Sequence, residues 1–526
     1  MTRRSCTIYA TGIVCAHLLI VGIALLVAQV FQTLINNRLK KEMTLAEGSR
    51  VLESWKNPPS DVFMQYFFFN VSNPEVFLAG GKAALTQIGP YTYKEYRPRE
   101  NLTYLENGTK LSAFNPKSFV FVPEMSAGDP KVDLVRTVNI PFVAVMNEMS
   151  SYSFIIRPLV SFWMNSIGVE LFTTRTVHEM LWGFKDPLLS QIHTLKPDVE
   201  EYFGLMYKKN GSHEGEFVFL TGENNYMDFG RIDTWNGLRR MTWWSSNQSN
   251  MINGTDGSTF HPLLSKDELL YIFAADLCRS IHLAYVEDVE VQGIPAYRFA
   301  PPLDVLASPE DNPANAGFCV PAGKCLGAGV LKVSVCRQGR LQVMFSSSLY
   351  FKPLSLSVCK TLLMSPNHRL CLVSVTMGVP VRACKRAQLN VLLNRVTGFP
   401  KTRNLSETIF PIMFVNETFV IDDDSAANMR TMLLIVTLVS NFPLFIVGLG
   451  AILLLVFVIL ICRSRQKKNA VKRIEFTEAF HSFATVKDDT AYTQVSSKPE
   501  EQQSSQPTQQ LRNGSYIAMS QVETSD

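Results

Sequence analysis

A run of uncharged, apolar residues at positions 432–461 constrains the fold of this chain more than any other feature. It is longer than the ~20 apolar residues that a helix needs to cross the core of a bilayer. A buried core helix is the alternative, but such helices seldom run this long without a polar face. Asn441 and Pro443 interrupt the run, so a kink is expected near them. The sequence therefore predicts a transmembrane helix.

The residues that follow this run indicate the side of the membrane on which the tail lies. They include Arg463, Arg465, Lys467, Lys468, Lys472 and Arg473. Lysine and arginine accumulate on the cytosolic side of membrane spans. Residues 462–526 are therefore predicted to be a cytosolic tail.

A second apolar stretch, residues 8–35, has basic residues on both flanks. A cleaved signal peptide is the alternative interpretation, with small residues at positions 24–28 as a cleavage site. The apolar part of a secretory signal is usually about 7–15 residues long, however, so we expect an uncleaved signal anchor. Two spans with residues 1–7 and 462–526 in the cytosol would place residues 36–431 on the lumenal or extracellular side.

The block between the two spans supports this topology. It holds eight N-x-[ST] acceptors for glycosylation, at Asn70, Asn101, Asn107, Asn210, Asn247, Asn253, Asn404 and Asn416. Seven cysteines fall in the same block, as expected for an oxidising compartment.

Composition and motifs argue against several classes of function. A net charge of +4 over 526 residues, without a dense basic patch outside the juxtamembrane run, indicates no nucleic-acid partner. His178-Glu179 begins like a zinc-protease helix but lacks the second histidine, and Gly327-Ala328-Gly329 lacks the third glycine of a dinucleotide loop. No G-x-S-x-G elbow occurs. We expect a protein that is not an enzyme and uses no cofactor or metal.

Short apolar runs separated by Gly, Pro and Asn fill most of the block. Residues 62–69 read as a buried aromatic strand, and runs at 89–93, 119–122 and 216–220 follow the same pattern. Their spacing predicts a mostly antiparallel sheet or barrel. Between residues 142 and 183 the apolar residues recur at helical spacing, which predicts a helical insert in a β body.

The apolar residues of this insert allow two interpretations. They are core, which is the commoner case for a hydrophobic helix face, or they form an exposed surface that binds a partner or admits a lipid. The candidates for such a surface are Ile155, Ile156, Leu159, Phe162 and Trp163.

Several short motifs stand in an order that is typical of one receptor family. They are Gly89-Pro90-Tyr91-Thr92-Tyr93, Leu181-Trp182-Gly183-Phe184-Lys185-Asp186, Trp235-Asn236-Gly237, Met251-Ile252-Asn253-Gly254-Thr255-Asp256-Gly257, Cys278-Arg279-Ser280, Gly317-Phe318-Cys319 and Lys385-Arg386-Ala387-Gln388-Leu389. In this order the chain resembles the class B scavenger receptors from about the first span to the second. The spacing of Cys319, Cys325 and Cys336 is most similar to the lysosomal integral membrane protein branch, which contains the receptor that carries β-glucocerebrosidase to lysosomes.

The resemblance implies a fold and a set of ligands. The fold would be α+β, a large lumenal antiparallel β-barrel with an apical helical bundle, anchored by one transmembrane helix at each end. A tunnel through the barrel would carry lipids such as cholesterol, and the apical helices would bind the hydrolase. This favours the binding-surface interpretation of the insert. No histidine lies between residues 149 and 177 to act as an acid switch, and we interpret His178 as structural.

The resemblance also implies the disulfide pairs Cys278–Cys336 and Cys319–Cys325, whereas the sequence alone allows several connectivities. Three cysteines of the block, Cys359, Cys371 and Cys384, are then left over. Residues 345–375 depart from the family pattern and contain no acidic residue where the family has several. This departure puts one or two barrel strands and part of the tunnel wall in question.

The tail after the second span is rich in Gln and Ser and is predicted to be disordered. It lacks the acidic dileucine signal of the lysosomal branch. It holds two Tyr-x-x-apolar tetrapeptides, one from Tyr492 to Val495 and one from Tyr516 to Met519. Such peptides add an extended strand to cytosolic adaptor proteins, so we expect at least one of them to be a sorting signal.

The sequence therefore predicts a two-pass receptor of lysosomal and late endosomal membranes, with a plasma-membrane pool allowed. It would deliver a β-glucocerebrosidase-like hydrolase to lysosomes and pass lipids such as cholesterol through its tunnel. The alternative is a cell-surface scavenger receptor for lipids and lipoproteins, and a purely structural glycoprotein is a third interpretation. The sequence leaves open whether the chain forms a homodimer.

Overall fold

The structure, a computed structural model, describes residues 3–336, 343–346, 370–374 and 377–485. The chain forms two compact units, one of Val21–Val447 and one of Met1–Ile20 with Gly448–Asp526. Most of the segment that departs from the family pattern, with Cys359, lies outside the described residues. So do both tail tetrapeptides, with Tyr492, Val495, Tyr516 and Met519.

Helices lie at both ends of the described chain and in the insert. They are α1 (Arg3–Val27), α2 (Val30–Glu42), α3 (Arg50–Lys56), α4 (Pro74–Leu78), α5 (Ile140–Met149), α6 (Ile156–Ser166), α7 (Val177–Trp182), α8 (Pro187–Leu195), α9 (Asp423–Ser440) and α10 (Phe442–Thr485). The region in which the sequence predicts a helical insert, residues 142–183, contains most of α5 and all of α6 and α7.

Strands are the predominant regular secondary structure of the described chain between α3 and α9. They are β1 (Val62–Val71), β2 (Leu85–Tyr96), β3 (Glu100–Leu105), β4 (Lys110–Phe114), β5 (Ser118–Phe121), β6 (Leu134–Val138), β7 (Phe172–Thr176), β8 (Phe184–Lys185), β9 (Tyr202–Phe203), β10 (Glu216–Leu220), β11 (Ile232–Trp235), β12 (Leu270–Ala274), β13 (Arg279–Val291), β14 (Ile294–Ala300), β15 (Val330–Lys332), β16 (Val343–Ser346), β17 (Leu370–Ser374), β18 (Pro380–Leu393) and β19 (Thr408–Val420). The four runs that the sequence marks as strands fall on β1, β2, β5 and β10.

Eleven of these strands form one large antiparallel sheet. Its main path is β12–β13–β14–β17–β18–β19–β1–β2–β5, and β16 pairs with both β18 and β15. Smaller sheets contain β11–β10–β4–β3, β6–β7 and β8–β9. Among the described strands no pair joins β12 to β5, so the closed barrel stays a prediction. The fold is therefore a mixed α and β structure dominated by an antiparallel sheet.

The first and last strands of the block pair with each other within this sheet. β1 and β19 are antiparallel, with Val62 opposite Phe419. Because β1 begins where β19 ends, the chain enters and leaves the sheet at the same end. There the Ser60 hydroxyl donates to the Asp422 carboxylate over 2.8 Å, and Asp422 also caps α9.

A large apolar cluster joins this sheet to the helical insert. It includes Phe68 of β1, Phe142 of α5, Met180 of α7 and Phe410 of β19, all nearly inaccessible to water. Burial of one large apolar side chain stabilises a fold by about 1.5–3 kcal/mol. The insert is therefore packed into the folded block and shares its core.

Neither predicted transmembrane span is one continuous helix. The chain breaks between α1 and α2 at Gln29, whose φ of 47° is left-handed and uncommon for a residue with a side chain. It breaks again at Asn441, between α9 and α10, where the sequence predicts a kink. The helical segments long and apolar enough to cross a membrane are Cys6–Val27 and Phe442–Ala479. Their ends differ from the predicted ones because helix breaks interrupt both apolar runs.

Two disulfides join the cysteines that the family resemblance pairs. Cys278 and Cys336 are 58 residues apart, and Cys319 and Cys325 are 6 apart. A cross-link over the longer separation restricts the unfolded chain and stabilises the fold by roughly 4 kcal/mol in the chain-entropy description. Cys384, one of the three cysteines left over, is a free, half-buried thiol.

A histidine ion pair gives the fold an acid-dependent contact. His261 Nε2 lies 3.0 Å from Glu268 Oε2, and Nδ1 lies 3.0 Å from the Pro262 carbonyl. Burial lowers the pKa of His261, but the bond to Glu268 outweighs it and raises the pKa above its ordinary value. The stabilisation is therefore complete below the unfolded pKa, about 6.5, and is lost as pH rises through the folded pKa.

We expect His261→Gln to lower the free energy of unfolding by about 1 kcal/mol at pH 5 and by less at pH 8. Glutamine can still donate a hydrogen bond to Glu268 but carries no charge. Thermal unfolding of the full-length protein in detergent at both pH values measures the difference. The control is His213→Gln, at an exposed histidine with no carboxylate partner among the described residues. An equal loss at both pH values would contradict the assignment.

Candidate functional site

A group of exposed apolar side chains lies on α6 and the two residues before it. The exposed fractions are 76% for Phe154, 62% for Ile155, 41% for Ile156, 64% for Leu159 and 75% for Phe162. We call these five residues the α6 patch. Ile155, Leu159 and Phe162 are spaced so that they fall on one side of the helix.

The opposite side of α6 is apolar as well. Met164 is fully buried, and Val160 and Trp163 pack against the large apolar cluster that joins the insert to the sheet. An apolar helix side in a folded protein is normally buried against another element. Because α6 leaves one apolar side in water, the patch has the character of a binding surface.

The turn that leads into α6 is fixed by one arginine. The Arg157 guanidinium donates to the Tyr152 carbonyl over 2.9 Å and to the Ser150 carbonyl over 2.7 Å. Arginine planes of this kind hold two acceptors in a defined geometry. Phe154 is therefore presented on an ordered turn next to the helix.

The structure separates the predicted partner-binding residues into two groups. Ile155, Ile156, Leu159 and Phe162 lie together on the exposed side, whereas Trp163 is half-buried on the inner side. Phe162 and Trp163 face different sides because neighbouring helix positions are about 100° apart. Phe154, in the turn before α6, is missing from the predicted set.

A cleft of about 630 Å³ lies beside α7. Its floor is aromatic and includes Tyr93 of β2, Phe119 and Phe121 of β5 and Trp182 of α7. Polar residues also line it, namely Asp129, Lys131, His178, Lys208 and Asn210. This volume is in the range of pockets for small organic ligands, and the mixture of aromatic and polar walls suits an amphiphile.

Glu179, which the sequence places in an incomplete zinc-protease motif, has a structural role. Its carboxylate accepts a hydrogen bond from the Thr176 backbone N–H over 2.9 Å, and the Thr176 hydroxyl accepts from the Glu179 N–H over 3.2 Å. This reciprocal pair is a capping box that starts α7. The described residues contain no group of metal-ligating side chains.

Six charged side chains from distant parts of the chain meet on the large sheet. They are Glu95, Arg97, Lys117, Asp276, Lys385 and Glu417, and we call them the ionic cluster. Arg97 is held most tightly. It donates twice to the Glu95 carboxylate over 2.8 Å and once to Glu417 over 2.6 Å. No short sequence pattern links these residues, because cross-strand pairing brings them together.

The electrostatics of the cluster keep Glu417 ionised. Burial alone raises the pKa of Glu417, but the charges of Arg97 and Lys385 outweigh it and lower the pKa to about 2. The stabilisation from this carboxylate is therefore present above its unfolded pKa, about 4.3, and is lost as pH falls towards 2. The cluster stays intact at neutral pH and at pH 5.

We expect Glu417→Gln to lower the free energy of unfolding by roughly 2 kcal/mol, because Arg97 loses one of its two carboxylate partners. The loss of unfolding free energy should be the same at pH 7 and pH 5 and should become smaller below pH 4. Thermal unfolding of the full-length protein at each pH measures it. Glu310→Gln, at an exposed position, is the control. A deficit that shrinks already between pH 7 and pH 5 would contradict the lowered pKa.

The predicted glycosylation sites differ in accessibility. Asn101, Asn107, Asn210, Asn247 and Asn404 are exposed, and Asn70 and Asn253 are half-buried. Asn416 is buried, and its amide hydrogen-bonds with the Gln65 and Arg386 side chains. A glycan on Asn416 would be attached to the same amide nitrogen that donates to Gln65. Occupancy at all eight positions stays a prediction.

Comparison with known proteins gives consistent similarities along most of the chain. The model of the CD36 family matches residues 13–461. Lysosome membrane protein 2 of Rattus norvegicus is 41% identical over 464 residues, which cover 88% of this chain and 96% of the relative. The protein of that name in Homo sapiens is 40% identical with the same coverage. Scavenger receptor class B member 1 of Cricetulus griseus is 30% identical over 465 residues, covering 87% and 89%. These similarities confirm the resemblance that the ordered motifs indicate.

Proposed function

Because this chain belongs to the CD36 family, we propose that it is a class B scavenger-type receptor that binds a lumenal hydrolase and delivers it to lysosomes. The exposed α6 patch is the observation that carries the proposal. Its hydrolase would be of the β-glucocerebrosidase kind, as the similarity to the lysosomal branch of the family suggests. The receptor acts by binding and has no catalytic role.

The patch has the composition of a protein-binding surface. Aromatic side chains dominate the energetics of many interfaces, and Phe154 and Phe162 are the two most exposed residues of the patch. The exposed side of α6 carries little charge, since Arg157 is its only charged residue and is used within the turn. A partner with a complementary apolar groove would therefore bind it without having to bury an unpaired charge.

The proposed topology follows from the two apolar helices and the glycosylation pattern. Both termini would lie in the cytosol, and residues 36–431 would lie in the lumen as a barrel closed from the large sheet. The receptor would be localised to the lysosomal and late endosomal membrane, with a plasma-membrane pool. The name of the relatives that are 40–41% identical, Lysosome membrane protein 2, supports this localisation.

Charge on the α6 patch provides the test. We expect the double substitution Ile155→Glu and Leu159→Glu to reduce capture of β-glucocerebrosidase by the full-length receptor at least tenfold, because carboxylates would enter an apolar interface. Co-precipitation of the hydrolase from cells that express both proteins measures it.

Leu195→Glu is the matched control for this test. Leu195 is 82% exposed and lies on α8, outside the patch, so its substitution adds a charge to the surface without touching the proposed interface. Undiminished capture by the double variant would exclude the patch as the hydrolase site.

A second proposed function is lipid transport, favoured by the cleft and its aromatic floor. Lipids such as cholesterol would pass from the cleft into a tunnel inside the barrel. The alternative identity, a cell-surface scavenger receptor for lipids and lipoproteins, rests on the same feature and on the similarity to scavenger receptor class B member 1. Hydrolase capture that persists in the double variant while its sterol uptake falls would favour this alternative.

Substitutions in the cytosolic tail test the proposed localisation. We expect Tyr492→Ala combined with Tyr516→Ala to move the receptor from lysosomes to the cell surface, because an adaptor pocket for the tyrosine ring would stay empty. Surface biotinylation and imaging of the full-length receptor measure the shift, with Tyr492→Phe and Tyr516→Phe as controls for loss of the hydroxyl alone. A lysosomal distribution that is unchanged in the alanine variant would exclude both tetrapeptides.

A further inference from the structure

A small cavity lies between the start of β13 and the loop that the Cys319–Cys325 disulfide closes. Its volume is about 40 Å³. One water needs about 10–15 Å³, so the cavity has room for a few waters or one small ion and is too small for a lipid head group or a sugar. The basic residues Arg279, Lys324 and Lys332 line it, and no acidic residue in the described part of the chain does. We call it the Arg279 cavity.

Arg279 carries the buried charge of this cavity. It is the first residue of β13 and directly follows Cys278 of the longer disulfide, and only 5% of it is accessible to water. Burial lowers the pKa of its guanidinium to about 10, so the group stays positively charged at neutral pH and in acid. Among the described residues no carboxylate forms an ion pair with it. A buried charge without a counter-ion is strongly unfavourable, so the site favours an anion.

The guanidinium uses only some of its donors within the protein. Its Nη2 donates to the Val305 carbonyl over 3.1 Å, and its Nε lies 3.5 Å from the Ser280 carbonyl. The group lies over the Phe318 ring, with its central carbon 3.7 Å from the ring centre. Each terminal guanidinium nitrogen carries two N–H donors. Within the described chain Nη1 has no hydrogen-bond acceptor, so its donors are available to a ligand.

The two lysines add positive charge to the same cavity. Lys324 is exposed and lies within the disulfide loop, one residue before Cys325. Lys332 uses one of its three donors, on the Val320 carbonyl over a long 3.4 Å. Both ammonium groups therefore keep donors for a ligand.

The acidic residue next to Val305 does not neutralise this charge. The carboxylate of Asp304 lies 3.9 Å from His282 Nε2, and its backbone carbonyl accepts from Asn315, which lines the cavity. The Asn315 amide also donates to the Ala307 carbonyl, so both of its N–H donors are used by the protein. The positive charge of the cavity is therefore not balanced by its own walls.

We propose that the Arg279 cavity binds one chloride ion. Arg279 Nη1 donates to the ion from the buried end, and the Lys324 ammonium contacts it from the disulfide loop. A carboxylate binds best to two donors side by side on one edge of a guanidinium, but the edge formed by Nε and Nη2 faces carbonyl groups. A spherical ion needs only one directed donor and nearby positive charge.

The bound ion would connect the short disulfide loop to β13. It therefore stabilises the part of the fold that both disulfides cross-link. The inference goes beyond the proposed receptor function, because the cavity shares no residue with the α6 patch or with the cleft beside α7.

The first test uses the unaltered full-length receptor in dodecyl maltoside. Thermal unfolding is measured while sodium gluconate is replaced by sodium chloride at constant ionic strength. Gluconate is too large for the cavity, and constant ionic strength keeps charge screening equal. We expect chloride to raise the melting temperature by at least about 2 °C, because a ligand that binds only the folded state stabilises it. Equal melting temperatures in the two salts would overturn the proposal.

Broadening of the chloride NMR signal by the same receptor measures binding directly. We expect the receptor to broaden the signal and bromide, a halide of similar size, to reverse the broadening by competition. Formate is the arm that distinguishes a carboxylate ligand from a halide. Reversal by formate at a lower concentration than bromide would overturn the assignment to chloride, as would the lack of any broadening.

Substitutions of the two basic residues at the ion provide the second test. We expect Arg279→Met to abolish both the broadening and the difference in melting temperature between the two salts. We expect Lys324→Met, at an exposed position where the fold is not at risk, to weaken chloride binding at least threefold. If Arg279→Met does not fold, Lys324→Met and the comparison of salts in the unaltered receptor still decide the question. Unchanged chloride binding in Lys324→Met would overturn the site as described.

The control is Lys196→Met. Lys196 is also exposed, but it follows α8 and does not line the cavity. Its substitution removes the same charge from the protein as Lys324→Met does. A loss of chloride binding in Lys196→Met equal to that in Lys324→Met would show a general effect of net charge and would overturn the assignment to the Arg279 cavity.

Discussion

The pairing of β1 with β19 is the interaction on which the rest of this structure depends. It joins the first and last strands of the block between the two apolar helices, so nearly the whole block is a loop closed by one strand pair. Closing so long a loop costs conformational entropy. The long antiparallel pairing of β19 with both β1 and β18 offsets this cost. The Ser60–Asp422 hydrogen bonds fix the end at which the chain enters and leaves the sheet.

The same strand pairing explains what could be predicted from the sequence and what could not. Aromatic strands such as β1, the helical spacing of the insert and the kink at Asn441 are local patterns, and each has a local physical cause. The disulfide pairs came from the family resemblance. The ionic cluster could not be predicted, because Glu95 and Glu417 meet only through the register of β2, β1 and β19. The break at Gln29 was also missed, since nothing in its side chain favours a left-handed backbone.

The helix α6 shows a conflict between folding and binding within one element. Its inner side uses Met164 and Trp163 to join the core, and this burial holds the helix on the block. Its outer side leaves Leu159 and Phe162 in water, which adds nothing to the stability of the chain alone. The spacing of apolar residues indicates that both sides of the helix are apolar. It does not predict which side packs against the sheet. Trp163 and Phe162 are neighbours in the sequence, so only the packing separates a core residue from a surface residue.

The ionic cluster also combines a tightly bonded charge with more loosely paired ones. Arg97 bridges Glu95 on β2 and Glu417 on β19 with short, directed hydrogen bonds, so its charge is fully used in holding the sheet together. Lys385 contacts the same Glu417 at a longer distance, 3.6 Å. A planar guanidinium bonds two carboxylates in fixed directions, whereas an ammonium acts as a point charge, so Arg97 joins β2 to β19 more tightly than Lys385 joins β18 to β19.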